Sequence, residues 1–65
     1  MKGTVKLYSL VKGEGIIIGE DSKEYKVKMA GIKGTGMRKL SEGQRVEFTV
    51  KESHKGLGAV DVEII

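Results

Sequence analysis

The sequence predicts a small all-β barrel of five antiparallel strands. Three observations predict it. Apolar and polar residues alternate in short runs rather than at helical spacing. Ten of the 65 residues are glycine and none is proline. The apolar set is dominated by β-branched residues, which suit strands joined by glycine corners. The chain is expected to form one domain, residues 1–65. At this length only about 60% of the surface exposed by the unfolded chain is buried, so the core must be small and closely filled.

Residues 2–10 alternate over most of their length and form strand one, with Thr4, Lys6 and Tyr8 on one face and Val5, Leu7 and Ser9 on the other. Residues 11–15 supply the turn, where glycine takes a positive φ without steric cost. Residues 16–18 make strand two, antiparallel to the first, and residues 19–23 a polar connection. Strand three, residues 24–29, sets Tyr25, Val27 and Met29 inward and presents Lys26 and Lys28 outward.

Residues 30–43 hold no helical period longer than one turn and read as a long loop anchored by Ile32, Met37 and Leu40. Residues 45–52 form strand four, with Val46, Phe48 and Val50 inward and Arg45, Glu47, Thr49 and Lys51 outward. Residues 53–58 are its hairpin loop. Residues 59–65 are the last strand, with Val60, Val62 and Ile64 inward, opposed to Asp61 and Glu63. Five strands left open would offer unpaired edges to other chains, so closure into a barrel is expected. The long connection between strands three and four fits an oligonucleotide/oligosaccharide-binding (OB) fold better than an SH3-like barrel.

Composition excludes several function classes. The chain has no cysteine and one histidine, which rules out a disulfide framework, a thiolate metal site or a histidine-rich one. No apolar run approaches the roughly 20 residues of a membrane-spanning helix, and the first residues lack a secretory apolar core, so a cytoplasmic protein is expected. Glu20, Asp21 and Glu24 are too local to make an acid/base pair, and no serine has a recognisable base partner. No catalytic site, cofactor, metal or small-molecule substrate is expected. Twelve basic against nine acidic side chains permit a polyanionic partner without demanding one. His54 reads as a solvated loop residue. Gly31-Ile32-Lys33-Gly34 lacks the flanking helices of a KH clamp. Gly13-x-Gly15 lacks the third glycine and the helix of a dinucleotide fingerprint.

Several stretches, in order and without an obvious gap, resemble one family. Lys2-Gly3-Thr4-Val5-Lys6 is similar to its opening, and Lys12-Gly13-x-Gly15-x-Ile17 stands where it has Lys-Gly-Phe-Gly-Phe-Ile. Ile32-Lys33-Gly34-Thr35-Gly36-Met37 resembles Ile-x-Gly-x-Gly-Phe, and the run from Leu40 to Phe48 resembles Leu-x-Glu-Gly-Gln-x-Val-x-Phe. Lys55, Gly56 and Ala59 continue the register. The family is that of the bacterial cold-shock proteins. The resemblance implies a five-stranded OB barrel that binds single-stranded RNA or DNA on an aromatic sheet face.

At the platform positions this chain departs from the family. Leu7-Tyr8 replaces Trp-Phe, and Glu14 and Ile16 replace two phenylalanines. Tyr25-Lys26-Val27-Lys28-Met29 stands for Val-Phe-Val-His-Phe, and Met37 for a loop phenylalanine. Stacking contributes about 1–3 kcal/mol per base, so binding is expected to be weak and largely electrostatic. The contact set implied is Lys6, Tyr8, Lys12, Ile16, Lys26, Lys28, Met29, Met37 and Lys55, with Tyr8 as the one stacking ring and the methionines as adaptable apolar contacts. A monomer is expected. The alternative is a protein-interaction or structural module, natural or designed, that keeps the barrel and has lost nucleic-acid binding. Its basis is Glu14 at the platform and a possible outward pair, Ile16 and Ile18.

Overall fold

A computed structural model describes residues 1–33 and 40–65. The alternating runs become five strands, β1 (Lys2–Ser9), β2 (Glu14–Gly19), β3 (Glu24–Lys28), β4 (Arg45–Ser53) and β5 (Gly56–Ile64), with one 3-10 turn at Met29–Gly31. They close into a barrel in the order β1-β2-β3-β5-β4, with β4 returning to pair with β1. This is the all-β OB barrel the sequence predicts. Four of the five strand pairs are antiparallel, and the β3–β5 pair is parallel. The parallel pair follows from the long connection after β3. It delivers β4 to the free edge of β1, so the hairpin partner β5 closes the gap running in the direction of β3.

Local chemistry sets the corners. Gly13 takes φ 67° in the β1–β2 turn, and its N–H donates to the Ser9 carbonyl at 2.8 Å. In the β2–β3 turn the Ser22 N–H donates to the Gly19 carbonyl at 2.9 Å. Asp21 Oδ1 accepts from the Lys23 N–H at 3.1 Å and Oδ2 accepts from the Tyr25 hydroxyl at 2.5 Å. The β4–β5 turn is tighter than the loop expected over 53–58, because the ladder runs on to Ser53 opposite Gly56.

Inside the barrel Val5, Ile17, Val27, Val46 and Val62 are fully buried, joined by Tyr25, Phe48 and Ala59. Burying a side chain of this size contributes about 1.5–3 kcal/mol, which is what holds five short strands in one register. Tyr25 and Phe48 pack with ring centroids 5.2 Å apart. Ile32 and Leu40 are buried as expected and anchor the long connection, Ile32 through a parallel bridge to Val62. Met37, the third expected anchor, lies outside the described residues.

Two bulges overturn the strict alternation. Between Glu47 and Thr49 the β4–β5 register shifts, with one extra residue on β5, where Asp61 adopts φ 52°. Ala59 and Val62 therefore both point inward, and Val60, expected in the core, faces out into a groove. Ile64, also expected inward, lies at the strand end and is exposed. Met29, expected to end strand three facing inward, instead opens the 3-10 turn and is exposed.

Candidate nucleic-acid interface

The outward face of β1, β2 and β3 is set by the second bulge. The β1–β2 register shifts between Val5 and Leu7, making Lys6 the extra residue, so Leu7 pairs with Ile16 and Tyr8 with Gly15. Leu7 thus shares the outer face with Ile16 and is 41% exposed, with Ile18 next along β2. Tyr8 turns to the other side, half-buried against the core. This corrects the expected placement of Tyr8 beside Thr4 and Lys6 as an outward stacking ring. Its ring lies against Gly15, where a Cβ would meet both that ring and the Leu7 carbonyl oxygen.

Across β2 and β3 the outward pairs are Glu14 with Lys28, Ile16 with Lys26 and Ile18 with Glu24. Lys26 also pairs with Gly58 on β5, and Gly58 with Lys51 on β4, so Lys26, Gly58 and Lys51 form one row across three strands. With neighbouring strands about 4.8 Å apart, the two lysine backbones stand about 10 Å apart with no side chain between them. The result is a groove of about 540 Å³, walled by Lys26, Lys28, Lys51 and Lys55. Leu57, Gly58 and Val60 line it lower down, and Glu14 and Ser53 lie on its rim.

Of the nine residues the sequence nominates, the groove brings together Lys26, Lys28 and Lys55. Ile16 lies beside it, across from Lys26. Lys6 stands apart at the bulge, where its Nζ meets Glu24 Oε2 at 2.7 Å; both side chains are about half exposed, so the pair contributes only tenths of a kcal/mol and a phosphate could displace it. Lys12 is exposed in the β1–β2 turn. Met29 packs over Gly13, and its N–H donates to the Gly13 carbonyl at 2.8 Å. Met37 lies outside the described residues.

Lys51, Leu7 and Val60 complete the surface and were not nominated. Lys51 carried a signal, being outward on β4, but only the strand order shows that β4 reaches this groove. Leu7 and Val60 were hidden by the bulges.

The perturbed ionisable groups lie away from the groove. The Tyr25 hydroxyl, donating to Asp21 and shielded by burial, has its pKa pushed up to about 12, and the same hydrogen bond holds the Asp21 carboxyl below its ordinary value. Lys33 is raised by its hydrogen bond to Glu63 at 3.0 Å. None of the groove lysines takes part in the two salt bridges among the described residues, Lys6–Glu24 and Lys33–Glu63.

Comparison with known proteins agrees with the barrel. The profile of the 'Cold-shock' DNA-binding domain matches residues 1–65. The major cold shock protein CspA of Pseudomonas aeruginosa is 41% identical over 63 residues, covering 97% of this chain and 91% of that protein. The cold shock-like protein CspC of Shigella flexneri is 42% identical over 66 residues, covering 100% and 96%. CspC of Buchnera aphidicola is 43% identical over 63 residues, covering 95% and 91%. With its strands, its closure and its whole length accounted for, the chain belongs to the cold-shock domain family, whose members bind nucleic acid and are not enzymes.

Proposed function

We propose that this chain binds single-stranded RNA or DNA as a monomer, weakly, mainly through lysine side chains and with little preference for sequence. What supports it is the gathering of Lys26, Lys28, Lys51 and Lys55 round one groove on a barrel of a nucleic-acid-binding family. Each ammonium that meets a phosphate releases a condensed counterion, so affinity falls as salt rises. For three to five such contacts to a single strand, log K should fall against log salt with a slope of about −2 to −3.5. Absence of detectable oligonucleotide binding at low salt would overturn the proposal.

One observation favours a second possibility, a protein-interaction module. Leu7, Ile16 and Ile18 make an apolar strip on the outer face, with Leu7 41% exposed. Light scattering tests it: a dimer dissociated by Ile16→Lys supports the module, whereas a monomer indifferent to that change weakens it.

A further inference from the structure

We infer that the groove takes the sugar–phosphate backbone of a nucleic-acid strand, with the bases turned away from the protein. This rests on the nucleic-acid binding proposed above and specifies its geometry.

Among the described residues, no Phe, Tyr or Trp ring lines the groove. The chain has three aromatic residues in all. Tyr25 and Phe48 are spent in the core, 3% and 2% exposed and packed on one another. Tyr8 is half-buried on the inner side of β1, against Gly15. A base entering the groove therefore finds no Phe, Tyr or Trp face on which to stack, and stacking on such rings is what draws bases toward a protein surface without regard to sequence.

A phosphate finds the reverse. Lys26 and Lys28 stand two residues apart on one side of β3, so their side chains project in the same direction about 6.6 Å apart along the strand. Lys51 faces Lys26 across the bare backbone of Gly58, and Lys55 stands at the hairpin end. Gly58 matters because it leaves the gap between the two lysine rows unfilled, open to a chain lying along the strands. Its hypothetical Cβ would make only ordinary contacts, 3.5 Å to the Lys26 carbonyl oxygen and 3.7 Å to that of Lys51, so no side chain beyond its chain neighbours comes within 4 Å of that point. Lysine is a point charge on a flexible stem and reads phosphate rather than base edges. Glu14 on the rim opposes any anion and limits affinity without offering bases a surface.

The test compares two ligands of equal length and charge, a seven-nucleotide oligothymidine and the same strand with every base removed, titrated at low salt. Backbone recognition predicts dissociation constants within fivefold of each other, and Lys26→Gln with Lys51→Gln should weaken both alike. One stacked base alone is worth about fivefold or more. A loss of fivefold or more for the abasic strand therefore overturns the inference and leaves the binding proposal standing. Failure of both strands to bind overturns the two together.

Discussion

Tyr8 lies directly across the β1–β2 ladder from Gly15, and its Cδ1 occupies a point 2.8 Å from where a Cβ at Gly15 would stand. The Leu7 carbonyl oxygen is nearer still, and being backbone it cannot swing aside. Gly15→Ala should therefore destabilise the fold by about 1–3 kcal/mol through overpacking. Urea denaturation checks this, and an unchanged midpoint would mean that Tyr8 does not press on that strand.

The Tyr25–Asp21 hydrogen bond predicts a pH dependence with a definite sign on each side. Asp21 is held below its ordinary value of 3.8, so its contribution is complete above that value and fades as pH falls through the depressed one. Tyr25 is raised from 10.0 to about 12, so its contribution is complete below about pH 10 and fades as pH climbs toward 12. The urea midpoint of Tyr25→Phe should lie below that of the parent between these limits and converge with it beyond them. A constant gap at all pH values would point to packing alone.

Asp61 holds φ 52° at the β5 bulge, a conformation that aspartate tolerates and β-branched residues do not. Asp61→Val should cost about 1–2 kcal/mol despite raising the strand propensity of β5. Thermal unfolding would register this as a drop of several degrees for a chain of this size. A stabilised variant would show that the bulge can be straightened.

Glu14 stands opposite Lys28 on the groove rim. Replacing it with glutamine removes a charge that repels phosphate, and at contact distance in water one such charge is worth about 1 kcal/mol. Glu14→Gln should tighten oligonucleotide binding two- to fivefold at low salt, with the advantage shrinking as salt screens it. Fluorescence anisotropy at two salt concentrations measures both effects.

The sequence carried most of the core. Val5, Val27, Val46, Phe48 and Val62 follow from period two, Ile17 from the family register, and Ile32 and Leu40 from being apolar in an otherwise polar connection. It misplaced Tyr8, Leu7 and Val60 because a bulge shifts the phase of the period without any local residue having to announce it. Lys6 and Asp61 are ordinary strand-surface residues by type. The groove was legible in part: Lys26, Lys28 and Lys55 could be nominated by their strand faces and by family register. Lys51 could not, since it joins them through a pairing between residues 26 and 58, and again between 58 and 51, that no periodicity encodes.

That pairing closes the barrel with only two residue pairs, Lys26 with Gly58 and Val27 with Ala59, where β1 and β2 share six. It joins segments more than thirty residues apart in the chain, so loop-closure entropy opposes it as it opposes the still more distant β1–β4 pair, which has three residue pairs to its two. The seam is therefore the place where the cylinder should open first and where amide hydrogens should exchange soonest. A strand gripped by Lys26 on one side and Lys51 on the other would lie across this joint and splint it. Occupancy would then slow the opening of the barrel, making the least durable part of the fold the one its cargo repairs.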